Sequence, residues 1–281
     1  MFLHFPFFFS LFIVSHAWEY CKPGIHEKLC DFPKIHTVCD PSQAFDDKVS
    51  MISNEFKGHV PITKKIKRIF MHIHNDYRNR VASGVEIKEG TNDKFPKASR
   101  MRELIWDNEL MYVAHIHTAQ TRMGHDKCRA TQRFPNAGQN LVGWKGTVCS
   151  IPIIEMLNES LHEMYMEKNM VPDPVAMAAE YNTAVKNAKV GHFTAMVNDR
   201  TSRLGCAISI GANCKAPSVD KTYPWCYYLA CNYDGTNLLN SFIYKTDPQQ
   251  SASQCSDWGV GKSLAYEHLC GNTGEIFDPK K

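Results

Sequence analysis

Gly191-His192-Phe193-Thr194-Ala195-Met196-Val197 is the stretch of this 281-residue chain that says most about its fold. Two further short motifs accompany it, His74–Arg78 (HNDYR) upstream and Cys231–Tyr233 (CNY) downstream. His74 and His192 are so far apart in sequence that only a folded domain could bring them together. Because two neighbouring imidazoles can hold a metal ion or a proton, the motifs raise the question of a shared site.

The start of the chain has the pattern of a targeting segment. Residues 1–17 (MFLHFPFFFSLFIVSHA) contain an apolar run too short to cross a bilayer and end in a small-residue cleavage pattern. We therefore predict a signal peptide that is cleaved after Ala17. No later stretch approaches the roughly 18 apolar residues of a membrane span, so we expect no transmembrane segment. The weak net charge of +3, with scattered Lys and Arg, argues against a nucleic-acid partner.

Cysteine usage agrees with a secreted, extracellular protein. Eleven cysteines behind a signal peptide predict a disulfide framework formed in an oxidising compartment. Their odd number leaves at least one thiol that is free or paired with another chain. Asn158-Glu159-Ser160 matches the N-glycosylation acceptor pattern, which also suits secretion.

Apolar periodicity predicts mixed α and β structure. The spacing predicts an amphipathic helix over 64–82, with His74 and Arg78 on its buried side, and a second helix that begins behind an Asp107 cap. Further helices are expected over 150–168 and 173–189, and residues 124–149 are expected to form a loop broken by short extended pieces. Alternation predicts strands over 204–210 and 225–233 around a turn-rich segment, 211–224. Together these elements predict a layered α/β (α+β) fold with helices on both sides of a sheet.

An ordered set of segments resembles one family. The chain is similar to the CAP superfamily (cysteine-rich secretory, antigen-5 and pathogenesis-related-1 proteins), and most closely to arthropod antigen-5. The resemblance implies a CAP-type α-β-α sandwich with a central antiparallel sheet over residues 63–240. A cysteine-containing N-terminal extension (18–62) and a C-terminal extension with Cys255 and Cys270 (241–281) flank it. The matching segments are His74–Arg78, Met101–Val113, Gly124–Arg129, Ala137–Leu141, Gly191–Val197, Leu204–Cys206 and Tyr228–Asn237.

The resemblance also implies a central cavity lined by two histidines and two acidic residues. Carried onto this sequence, the histidines are His74 and His192 and one acid is Glu163, whereas Gln139 occupies the other acidic position. Replacing a carboxylate by an amide removes a charge and a strong metal ligand. We therefore expect that no cofactor is required and that zinc binds at most weakly, through His74, His192 and Glu163. No residue is assigned a catalytic role, since no nucleophile motif is present.

Disulfide pairing follows from the resemblance in part. It implies Cys21–Cys39, Cys30–Cys128 and Cys206–Cys231. Cys214–Cys226 could link the hairpin and Cys255–Cys270 could close the tail, although sequence alone does not give connectivity. Cys149 is then left over, and we predict that it is free or joins two copies in a disulfide-linked dimer.

Three functions suit these features. The preferred one is a secreted, non-enzymatic protein of arthropod venom, saliva or reproductive secretion that binds a small hydrophobic ligand (lipid or sterol) or an extracellular protein target. The second is a weakly metal-dependent hydrolase that uses the His/Glu cavity. The third is an allergen-like surface protein with a vestigial cavity. A histidine on the apolar side of a helix is more often a hydrogen-bonded core residue than a ligand, which weighs against the second.

Overall fold

A computed structural model describes residues 19–31, 33–45 and 49–276. The predicted signal peptide lies outside these residues. None of the described helices is long and apolar enough to cross a membrane. The helices are α1 (His26–Leu29), α2 (Lys64–Ala82), α3 (Asn108–Ala119), α4 (Ile153–Met166), α5 (Pro174–Ala179), α6 (Thr183–Asn187) and α7 (Gly191–Val197). The strands are β1 (Glu55–His59), β2 (Ile105–Trp106), β3 (Gly138–Gly146), β4 (Arg203–Ala216) and β5 (Lys221–Tyr233).

The strands form one sheet in the order β1-β4-β5-β3, and β2 adds to β4 in parallel. The other pairings are antiparallel, and Cys206 lies opposite Cys231 at the centre. β1 pairs with β4, so part of the segment 18–62 belongs to the sheet. Helix α3 packs on β4 and β5, while α2, α4 and α7 pack together and α7 contacts β3. The predicted α-β-α sandwich with a central antiparallel sheet is thus confirmed.

The prediction of a loop over 124–149 is wrong for residues 138–146, because the glycines in this stretch are present for close packing. Residues 138–146 form strand β3, which pairs with β5 along its whole length. A side chain at Gly138 would place its Cβ 2.3 Å from the Gly235 carbonyl oxygen. Gly205 serves α3 in the same way, since a Cβ there would lie 2.2 Å from the Met111 amide nitrogen. These glycines permit close approach of backbones, whereas the sequence pattern suggested turns.

Two other element boundaries differ from prediction. The segment 211–224 is mostly a continuation of β4 and β5, and the turn between them is confined to a short 3-10 segment, Pro217–Val219. The predicted helix over 173–189 is broken at Glu180, which is extended. Asn182 then caps α6, its side-chain oxygen accepting from the Val185 amide. The Asn182 side chain thus caps a new helix, α6, at a position where the prediction continued the helix that begins at Asp173.

Helix α2 has the predicted bounds and carries a fully buried arginine. The Arg78 guanidinium donates to four backbone carbonyls and contacts no carboxylate among its described hydrogen-bond partners. Burial, followed by the nearby charge of Arg102, lowers the pKa of Arg78 to about 9. Arg78 therefore fastens α2 to the chain before β2, to α7 and to the chain between α7 and β4. The acceptors are the oxygens of Arg102 (2.9 and 2.7 Å), Met196 (2.8 Å), Asn198 (2.9 Å) and Thr201 (3.1 Å).

Five disulfides tie the extensions and the hairpin to this framework. They join the same pairs that the sequence analysis names: Cys21–Cys39, Cys30–Cys128, Cys206–Cys231, Cys214–Cys226 and Cys255–Cys270. Each is expected to stabilise the fold by about 2–4 kcal/mol. Cys149 is exposed and forms no disulfide within the described chain. Whether it joins two copies stays a prediction.

Replacing Arg78 by lysine should strongly destabilise the protein. A lysine ammonium cannot reach all four carbonyls, so buried acceptors lose their partners and the free energy of unfolding should fall by about 3–5 kcal/mol. Urea unfolding monitored by circular dichroism measures this loss. Arg68→Lys on the exposed face of the same helix is the matched control and should change stability by less than about 0.5 kcal/mol. Equal stabilities of the two variants would contradict the role given to Arg78.

Candidate functional site

An open cleft of about 520 Å³ lies beside α7. It is built from the loop before β3, the first residues of β3, the 3-10 turn after α4, the segment from Tyr181 to Ala195, and the chain after β5. The lining residues are His125, Arg129, Gln139, Asn140, Glu167, Tyr181, Lys186, Lys189, Gly191, His192, Ala195, Thr236, Asn237 and Leu239.

His192 and Glu167 form one wall of the cleft. The His192 Nδ1 donates to the Glu167 Oε1 over 2.7 Å. The other carboxylate oxygen accepts from the backbone amides of His192 (2.8 Å) and Phe193 (3.1 Å), which are at the start of α7. Glu167 therefore acts as an N-terminal cap supplied by another part of the chain. Its carboxylate positions His192, whose side chain keeps about a third of its surface exposed (34%).

His125 and Gln139 form another part of the cleft lining. The Gln139 Oε1 accepts from the His125 Nδ1 over 2.9 Å, and the Gln139 amide nitrogen donates to the Asn232 Oδ1 over 3.2 Å. The amide nitrogen also lies 3.4 Å from the His117 Nδ1. Strand β3 thus fixes the amide of Gln139, and the amide in turn orients the imidazole of His125.

The charge of the cleft is mainly positive. Lys186 and Lys189 are exposed and form no ion pair within the described residues. Arg129 is fixed by the buried Asp126, which accepts from its Nε over 2.5 Å. Glu167 is the one acidic residue among those lining the cleft. A ligand with negative charge therefore suits this surface.

Comparison with known proteins identifies the family. Residues 71–233, more than half of the chain, match the CAP (cysteine-rich secretory protein) family. The chain belongs to this family. Among its relatives are Venom allergen-1 of Aedes albopictus (31% identical over 262 residues, 93% of this chain and 90% of the relative) and Venom allergen 5 of Polistes dominula (30% over 236 residues, 82% and 91%).

Solved CAP structures share the fold at lower sequence identity. The crystal structure of Na-ASP-1 shares 23% sequence identity with this chain at a TM-score of 0.58. The match covers 80% of this chain and 51% of the Na-ASP-1 chain. The crystal structure of NaASP2 with Zn2+ shares 20% sequence identity at a TM-score of 0.56. The match covers 74% of this chain and 96% of the NaASP2 chain. At these identities the likeness concerns the fold alone.

The structure corrects the assignment of His74 in this CAP protein. His74 is fully buried and does not line the cleft. Its Nδ1 donates to the Phe70 carbonyl oxygen (2.8 Å), and its Nε2 accepts from the Tyr233 hydroxyl (3.0 Å). Burial lowers the pKa of His74 to about 4, so the ring is neutral at physiological pH. The prediction that His74 faces His192 across a cavity is wrong, because both ring nitrogens are used inside the core.

The assignment of Glu163 to the cavity is also wrong, by about one helical turn. Glu163 is exposed on α4, whereas Glu167, just past the end of that helix, turns toward α7. The three residues predicted to bind zinc weakly, His74, His192 and Glu163, therefore do not converge. In the ranges that the structure covers, no three His, Cys, Asp or Glu side chains are grouped as metal ligands. The residues present do not fit a zinc ion at this position.

The predicted residues His192 and Gln139 do line the cleft, while His125 and Glu167 were missed. His125 lies in the segment Gly124–Arg129, which resembles the family, although the resemblance assigned no residue of this segment to the cavity. The available signal was its nearness in sequence to Gln139 on a predicted loop, where functional side chains concentrate.

Removing the Glu167 carboxylate should weaken the start of α7. Glu167→Ala leaves two backbone amides without their acceptor, so we expect a loss of about 1 kcal/mol in unfolding free energy. Glu163→Ala, the matched control four residues earlier, removes an exposed carboxylate and should change stability by less than about 0.5 kcal/mol. Urea unfolding compares the two. A larger loss in Glu163→Ala would contradict the placement of these residues.

Proposed function

We propose that this CAP protein is an extracellular, non-catalytic binding protein whose cleft between His125 and His192 takes an acidic segment of a protein target. The observation that carries the proposal is the positive charge of Lys186 and Lys189, which form no ion pair with any described residue, beside a cleft whose one carboxylate is already engaged. The following contacts support each part of it.

The hydrogen bonds of the cleft disfavour catalysis. Both oxygens of Glu167 accept hydrogen bonds from the start of α7, so the carboxylate has a structural task. Gln139 supplies an amide where a second carboxylate would be needed for paired acid–base chemistry. The geometry holds the side chains in place and leaves no oriented nucleophile–base pair at the cleft.

The lining favours a protein segment over a lipid or sterol. The cleft is open to solvent, and most of its lining side chains are polar or charged. Its clearest apolar contact is Leu239 at the rim, half exposed (50%). A sterol would offer no charged group to Lys186 and Lys189, whereas an acidic peptide pairs with them and can place one apolar side chain on Leu239.

The chain's covalent framework supports action outside the cell. Five disulfides persist only in an oxidising compartment. The relatives named above are venom allergens. The predicted signal peptide over residues 1–17 agrees with this location.

Binding of a model acidic peptide tests the proposal. We expect a fluorescein-labelled tetraglutamate peptide to bind saturably by fluorescence anisotropy, and more weakly as salt is raised. The double variant Lys186→Ala/Lys189→Ala should weaken binding roughly fivefold to tenfold, since it removes two exposed charge pairs. Lys64→Ala/Lys65→Ala on α2 removes two exposed lysines elsewhere and serves as the matched control.

Two outcomes would overturn the proposal. One is equal weakening by both double variants, which would mean that general charge attraction and not the cleft holds the peptide. The other is hydrolysis of the peptide that disappears in His192→Ala, which would favour the hydrolase alternative.

A further inference from the structure

A second pocket, of about 260 Å³, adjoins the cleft. Arg129 and Thr236 line both, so the two depressions share a wall. The other residues of the second pocket come from the N-terminal extension and from the loop around the Cys128 disulfide. They are Leu29, Cys30, Asp31, Lys34, Lys127, Cys128, Ala130, Pro135, Asn136 and Ala137.

The shared residue Arg129 is held rigidly. Its Nε donates to the Asp126 Oδ1 (2.5 Å), its Nη2 to the Asp126 carbonyl oxygen (2.7 Å) and its Nη1 to the Ala137 carbonyl oxygen (3.3 Å). Arg129 therefore lies between the two pockets in a conformation that is already ordered before a ligand binds. Such preorganisation lowers the entropic cost of binding.

The N-terminal extension is fastened where it forms the outer side of the second pocket. The Cys30–Cys128 disulfide joins the two sides covalently. The Thr37 amide donates to the Cys128 carbonyl oxygen (2.9 Å), and the buried His36 Nε2 donates to the Ala130 carbonyl oxygen (2.7 Å). The second pocket is therefore a permanent part of the surface, and its outer side comes from a segment outside the residues 71–233 that match the family.

The second pocket continues the positive charge of the cleft. Lys34 lies on the extension with about half of its side chain exposed (49%). Its ammonium is 3.2 Å from Asp31, which is itself exposed, and an exposed pair of this kind is weak enough to exchange partners. Positive groups thus occur at both ends: Lys186 and Lys189 in the cleft, and Lys34 in the second pocket.

We infer that the cleft and the second pocket form one continuous groove that binds an acidic peptide in extended form across Arg129, with further carboxylates of the peptide at Lys34. This inference rests on the proposed function and adds the length and a second contact of the bound segment. The N-terminal extension then contributes directly to recognition.

Peptide length and a single charge reversal test the inference. In fluorescence anisotropy, a dodecaglutamate peptide, which reaches up to about 40 Å when extended, should bind more tightly than tetraglutamate. Lys34→Glu should weaken dodecaglutamate binding at least about threefold and leave tetraglutamate binding unchanged, because only the longer peptide reaches the second pocket. Lys28→Glu reverses another exposed charge in the same extension, at a residue that does not line the pocket, and is the control.

The outcomes separate this inference from the proposed function. If Lys34→Glu and Lys28→Glu weaken dodecaglutamate equally, the peptide senses net charge alone and the continuous groove is wrong. If tetraglutamate binds and depends on Lys186 and Lys189 while Lys34→Glu has no effect on either peptide, the cleft stands and the second pocket fails. If neither peptide binds, both proposals fail.

Discussion

The fold depends on one buried cation. Arg78 donates five hydrogen bonds to four backbone carbonyls, which belong to the chain before β2, to α7 and to the turn that follows α7. The guanidinium thus supplies partners to buried carbonyls of separate segments and joins those segments to α2. Because a planar fork with several donors is needed, the position requires arginine specifically.

Two further residues of the HNDYR motif, Asn75 and His74, also fix neighbouring segments. Asn75 accepts from and donates to the backbone of Leu104, which fixes the chain that leads into β2. His74 accepts from the Tyr233 hydroxyl, and that hydroxyl accepts from Asn140, whose amide nitrogen also reaches the His192 carbonyl oxygen (3.1 Å). The motif therefore supports the cleft from behind. A buried network of this kind gives the cleft a fixed geometry, and Asn140 is the member that also lines the cleft.

Much of this could be predicted from the sequence, and the failures have physical causes. Apolar periodicity and the Asp107 cap located α2 and α3, because helix bounds depend on local side chains. Strand β3 was missed because Gly138 and Gly143 are present for close packing, which a single sequence does not distinguish from a turn. At the site, His192 and Gln139 were found, but His74 was preferred to His125. The two imidazole side chains are chemically identical, so the sequence does not tell a buried helical histidine from a cleft histidine on a loop. Only the tertiary structure shows which ring solvent can reach.

His74 is a buried support, whereas His125 and His192 line the solvent-accessible cleft, and imidazole NMR tests this difference directly. In a spectrum of the protein with labelled histidine, the ring of His74 should remain neutral until pH falls to about 4, and its signals should not move when tetraglutamate is added. The signals of His125 and His192 should move on the same addition. A His74 ring that becomes protonated near its ordinary pKa, or that responds to the peptide while His125 does not, would contradict the account.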